Sequence, residues 1–90
     1  MDFIWDPVKN FENQRKHGVS FEEATSLWGK THMEVKHMAH AGKGESRSAI
    51  MGWIGRKVYV AIWTQRGDKI RLISVRRARK NEEKVFSAKI

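Results

Sequence analysis

Residues 47–77 read RSAIMGWIGRKVYVAIWTQRGDKIRLISVRR, and this stretch decides the fold. Segments 47–54 (RSAIMGWI) and 57–65 (KVYVAIWTQ) are apolar at odd and even positions alike. That is the pattern of strands covered on both faces. Gly55 separates the first from the second, and Gly67-Asp68 separates the second from 69–77, so both joints read as hairpin turns. In 69–77 (KIRLISVRR) strict alternation puts Ile70, Leu72 and Ser74 on one face, with Arg71, Ile73, Val75 and Arg77 on the other. Three strands joined by tight turns predict an antiparallel meander.

Upstream, 31–38 (THMEVKHM) alternates weakly as a further strand, and 39–44 (AHAGKG) predicts a flexible loop. Ser20 and Glu23 form a capping-box pattern, with Val19 and Ala24 spaced as a hydrophobic staple. Phe21, Ala24, Leu27 and Trp28 are that helix's buried stripe, and Gly29 ends it. An earlier helix spans 7–17, capped by Asp6, started by Pro7 and stopped by Gly18. Its expected apolar contacts are Val8 and Phe11. Lys9, Asn13, Lys16 and His17 form a polar stripe on one side. Residues 2–5 (DFIW) suit a short strand and 78–89 a short C-terminal helix. The expected fold class is α+β: an N-terminal strand and two helices, an antiparallel β-meander and a closing helix, in a single domain over residues 1–90.

Charge narrows the function. The chain carries a net +8, and nine of its cations lie between Arg56 and Lys80 with Asp68 the one anion among them. Elsewhere nine cations and nine anions cancel. A patch this concentrated and this rich in arginine predicts a polyanionic partner, because the guanidinium fork binds phosphate bidentately. The competing reading is a solvated face. At least Arg66, Arg76 and Arg77 fall at strand ends, where their heads can converge on a phosphodiester. The polar stripe has two readings of its own. It is either a solvent-facing side with His17 favourable at the helix C-terminus, or the supplier of a proton through Lys16 or His17.

Other chemistries find little support. There is no cysteine, hence no disulfide and no thiolate site, which suits the cytoplasm. The first ten residues, MDFIWDPVKN, do not read as a signal peptide, and no apolar run is long enough to span a membrane. His32, His37 and His40 match no dependable ligand spacing, so neither a metal nor a cofactor is expected. Trp53, Tyr59 and Trp63 could stack bases, but alternating with Ile and Val they read as core.

Two motifs carry a family resemblance. Trp5-Asp6-x-x-Lys9-x-x-x-Asn13-x-x-Lys16-His17-Gly18-Val19-Ser20-Phe21-Glu22-Glu23-Ala24 resembles the opening of the BrnT toxins of type II toxin–antitoxin modules. Thr64-Gln65-Arg66-Gly67-Asp68-x-Ile70-Arg71-x-Ile73-Ser74-x-Arg76-Arg77-Ala78, with Glu82 beyond, resembles their closing motif. The resemblance implies a RelE-like fold and a ribonuclease that cleaves RNA and inhibits translation. It also implies a BrnA-like antitoxin with a ribbon-helix-helix DNA-binding domain, the complex binding operator DNA. Carried over, Lys16, His17, Arg66 and Arg76 are the catalytic candidates. Arg71, Arg77, Lys69 and Arg79 are the substrate-binding ones. Cleavage of this type is metal-independent and uses the substrate's 2′-hydroxyl. Position 65, commonly acidic in the family, is Gln65 here. From charge alone, a non-catalytic nucleic-acid-binding regulator or an antitoxin-binding module remains an alternative.

Overall fold

The computed structural model describes residues 2–40 and 46–90. Among these the chain runs β1 (Asp2–Ile4), α1 (Pro7–His17), α2 (Phe21–Ala24), a 3-10 turn (Thr25–Gly29), β2 (His32–His40), β3 (Ser46–Ile54), β4 (Lys57–Arg66), β5 (Lys69–Arg77) and α3 (Lys80–Lys89). The α+β architecture is as expected, with the meander at its centre. Of the expected loop, Ala39 and His40 instead belong to β2, and 41–44 lie outside the described residues.

The five strands form one sheet in the order β1-β5-β4-β3-β2. The meander strands and β2 pair antiparallel, whereas β1 joins β5 in parallel, Phe3 beside Ile70. Both faces are covered, as the apolar β3 and β4 require. On one side Val19, Phe21, Ala24 and Leu27 pack on Ile50, Ala61, Trp63, Ile70, Leu72 and Val75. On the other, Phe86 of α3 packs on Ala49, Met51, Val58 and Val60. Phe21 and Phe86 are fully buried. Truncating either to Ala costs about 3–5 kcal/mol, much of the margin of a domain this small.

The α2 region follows its local signals. The Ser20 hydroxyl accepts the Glu23 N–H at 3.0 Å, and Glu23 Oε1 accepts the Ser20 N–H at 2.9 Å. The helix tightens into the 3-10 turn, which lies hard against β3. A Cβ at Gly52 would stand 3.1 Å from Leu27 Cδ2 and 3.2 Å from the Thr31 carbonyl oxygen, so any side chain there would push the turn back by a few tenths of an ångström. Trp28 is half-buried, its ring edge-on to Phe3 at 5.0 Å and Trp63 at 6.0 Å.

Two expectations are corrected. The β4–β5 ladder slips between Ile62 and Trp63: Ile62 faces Ser74 and Trp63 faces Leu72, so Ile73 is the extra residue of a bulge. Past it the faces exchange, and Val75 joins Ile70 and Leu72 in the α2-side core instead of sharing a face with Arg71. The second correction concerns α1. Val8 and Phe11 are 64% and 62% exposed, and the residues that α1 buries are Asn10 and Asn13. Asp6 caps the helix through the Val8 N–H at 2.9 Å, and Gly18 ends it at φ 70°, as expected. Its inward face is nevertheless polar. Asn10 Oδ1 accepts the Phe21 N–H at 2.9 Å and its amide donates to Glu22 Oε1 at 2.9 Å, holding that carboxyl below its ordinary pKa. Asn13 donates to the Val19 carbonyl and accepts the Val75 N–H. β1 ends at Ile4 beside Arg71, leaving the rest of the β5 edge without a strand partner. At Val75, α1 supplies through a side chain the acceptor that a neighbouring strand would have given.

Candidate nucleic-acid interface

The sheet's α3-side face gathers the cations. In β4, Val60 lies in the α3-side core, so Ile62, Thr64 and Arg66 follow on the same face by alternation. Their partners across the ladder are Arg76, Ser74, Arg71 and Lys69, for Val60, Ile62, Thr64 and Arg66 respectively. The bulge at Ile73 brings Ser74 and Arg76 onto this face. Without it Arg76 would lie opposite Arg71. α3 covers the β3 and β4 residues around Phe86, and the β5 side of the face carries the basic row.

Arg76 is the most constrained of these residues. Its guanidinium forks onto Glu82, Nη1 to Oε1 at 2.8 Å and Nη2 to Oε2 at 2.9 Å. Glu82 Oε1 also accepts the Arg79 N–H at 2.7 Å, at the start of α3. The Arg76 bonds, then the Arg79 N–H, pull the Glu82 carboxyl down to about 2. The same hydrogen bonds raise the Arg76 pKa. The fork fixes one guanidinium plane at the joint of β5 and α3 and pairs its charge with a carboxylate. Arg77, at the end of the strand, is exposed and approaches Glu83 loosely at 3.8 Å. Arg66 is exposed at the β4–β5 turn, Lys69 and Arg71 are half-buried, and Arg79 is exposed.

The polar stripe of α1 divides into two parts. Asn13 points inward and is structural. Lys9, Lys16 and His17 are exposed and join Glu12, Asn13, Ile73 and Ser74 around an open cleft of about 180 Å³. Lys16 and His17 thus stand at the rim beside Ser74, which shares its face with Arg71 and Arg76. Lys16 and His17 occupy the last turn of α1, immediately before Gly18. The left-handed conformation at Gly18 sets where this turn stops. An ammonium and an imidazole at this rim, with guanidinium groups along the strand, are the group types that phosphodiester chemistry draws on.

The remaining candidates fall into place around this row. Gln65 donates its side-chain amide to the Gly67 carbonyl at 2.8 Å and so braces the β4–β5 turn, a bond that a carboxylate could not make. Trp63 is core and Tyr59 half-buried, while Trp53 is 40% exposed with its ring edge-on to Phe86 at 5.0 Å. His32 bonds locally to the Lys30 carbonyl and Glu34. The side chains of His37 and His40 lie outside the described residues. Among the described residues no group of three or more His, Asp or Glu is disposed to hold a metal ion, and no helix is long and apolar enough to cross a membrane.

One basic residue on this face belongs to neither motif. Arg47 of β3 alternates with Ala49 and Met51, both in the α3-side core, and so shares the face of Arg71. No local signal marked it, since strand register alone assigns its face.

A family model described as "Ribonuclease toxin, BrnT, of type II toxin-antitoxin system" matches residues 5–82. No curated protein matches the chain.

Proposed function

The chain belongs to the BrnT family of ribonuclease toxins of type II toxin–antitoxin systems, and from that premise we propose that it is a metal-independent endoribonuclease whose cationic sheet face holds the RNA backbone. The observation that carries this reading is the shared face of Arg66, Lys69, Arg71 and Arg76, with Lys16 and His17 at its margin.

In the proposed reaction the substrate's 2′-oxygen attacks the adjacent phosphorus. A P–O2′ bond forms, the P–O5′ bond breaks, and the product is a 2′,3′-cyclic phosphate. One proton leaves the 2′-hydroxyl and one reaches the 5′-oxygen. Lys16 or His17 is the carrier at this site. Negative charge grows on the phosphoryl oxygens in the transition state. Guanidinium groups held on a strand meet it without reorganising. Arg76, preoriented by Glu82, and Arg66 take this role, with Arg71, Lys69 and Arg79 along the backbone; Arg77, expected on the face of Arg71, instead follows Val75 onto the other face past the bulge and reaches this site only from the strand end. Cleavage of messenger RNA would stop translation in the cytoplasm. The cognate BrnA-like antitoxin, with its ribbon-helix-helix domain on operator DNA, would inhibit by bringing acidic residues onto the same cations.

The test is incubation of the purified chain with ribosome-free RNA in EDTA, beside Arg76→Ala. Cleavage by the wild type alone is expected. Salt-sensitive RNA binding without products from either protein would replace the nuclease reading with a ribosome-dependent toxin or a binding module.

A further inference from the structure

We propose that Arg47 and Arg71, on either side of Thr64, form a subsite for one backbone phosphate group of the RNA. The inference rests on the ribonuclease reading above and adds to it a residue from outside both family motifs. Ser48 pairs with Trp63, so the next step of the antiparallel ladder sets Arg47 beside Thr64, and Thr64 pairs with Arg71. The two arginines are therefore two strand spacings apart, about 10 Å at the backbone, with stems rising from one face. Thr64 between them is 3% exposed, its hydroxyl donated to the Ser46 carbonyl at 2.8 Å. It forms a closed floor and does not compete for a ligand.

The state of the guanidinium groups points to an anion. Arg47 Nε is shielded from solvent and has no hydrogen-bond partner. A guanidinium nitrogen withdrawn from water without an acceptor is costly in the free protein, and an anion that drew the half-buried Arg47 side chain outward would relieve that cost. Among the described residues, neither Arg47 nor Arg71 forms an ion pair, in contrast to Arg76 on Glu82. Two forks over a flat floor suit the tetrahedral oxygens of a phosphodiester. The same face runs on to Lys69 and Arg66, so the subsite continues into a line of cations that a linear polyanion follows.

The test is binding of a labelled 2′-O-methyl oligoribonucleotide, which cannot supply the attacking hydroxyl, to the full chain across a salt series. Arg47→Gln should weaken binding about tenfold at low salt and flatten the slope of log K against log salt by about 0.7. Arg71→Gln should do the same. Arg47→Lys should keep the slope with weaker binding, and it decides the matter if Arg47→Gln melts too low to assay. Lys89→Gln, the same charge loss at the exposed end of α3, should change neither quantity appreciably. Arg47→Gln matching Lys89→Gln while Arg71→Gln binds weakly would overturn the subsite and leave the ribonuclease reading standing. A wild type that does not bind the oligonucleotide would overturn both. Intact RNA binding with lost affinity for polyglutamate would reassign the pair to an acidic peptide and overturn the proposal.

Discussion

The side-chain oxygen of Asn13 accepts the backbone N–H of Val75 at 3.1 Å, across 62 residues of sequence. The same side chain donates to the Val19 carbonyl at 3.2 Å. One amide therefore fastens α1 to the edge of β5 and to the chain entering α2. Asn13→Leu leaves both backbone groups unsatisfied and should cost about 2–3 kcal/mol. That corresponds to a melting temperature lower by about 10–20 °C. Asn13→Asp keeps the acceptor and loses the donor, so it should melt between the two. A Leu variant as stable as the wild type would show that the amide is not what holds the edge.

The outer side of α1 should behave in the opposite way. Phe11 is 62% exposed, so Phe11→Ser should shift stability by no more than about 0.5 kcal/mol. Denaturant titration of both α1 variants tests the inversion directly: the polar substitution is harmless and the apolar one is not.

Acid should open the joint of β5 and α3. Glu82 is held at about 2 in the folded protein, against an ordinary 4.5. A depressed carboxylate contributes stability above its unfolded pKa and loses it as pH falls through the folded value. The contribution of the Arg76–Glu82 fork is thus whole above about pH 4.5 and fades towards pH 2. Glu82→Gln, compared with wild type by thermal melting over this range, should show a shallower loss. Parallel curves would show that the fork adds nothing to stability.

Lys16 and His17 are exposed at the cleft rim. Replacing each with Ala should leave the melting temperature nearly unchanged. The residue that moves the proton should lose about 10²–10⁴ in cleavage rate. Equal, small losses from both variants would confine them to charge alone.

Gly18 holds φ 70° with open space where a Cβ would stand. Gly18→Ala should therefore cost only the backbone strain, about 1–2 kcal/mol. Cleavage should fall further than this loss of folded protein explains, because the turn bearing Lys16 and His17 shifts. Unchanged specific activity in the folded fraction would detach the turn's geometry from catalysis.

The parts of the fold readable beforehand are those written in adjacent residues. Asp6-Pro7, Ser20 with Glu23, Gly18 and the two hairpin turns act within a few positions, and their elements lie where they were expected. The misread parts depend on distant partners. Asn10 and Asn13 look like surface residues until Phe21 and Val75 present their N–H groups. No residue type announces the bulge at Ile73, since Ile, Ser and Val all tolerate a strand, and the slip is set by pairing with β4. Alternation therefore put Val75 on the wrong face. For the candidate site, the basic segment and its motifs were legible, but its common face depended on that slip. The Glu82 partner of Arg76 stood in the motif, yet its fork required α3 to start where it does. Arg47 carried no local signal, because β3 is apolar around it and only register assigns its face.

The parallel pairing of β1 with β5 has a consequence for synthesis. Phe3 finds its strand neighbour only when Ile70 has been made, and α1 finds its anchor only with Val75. A nascent chain lacking the final hairpin cannot close the sheet, and it lacks most of the basic row. Closure of the sheet and assembly of its cationic face therefore wait on the last strand to be made, residues 69–77.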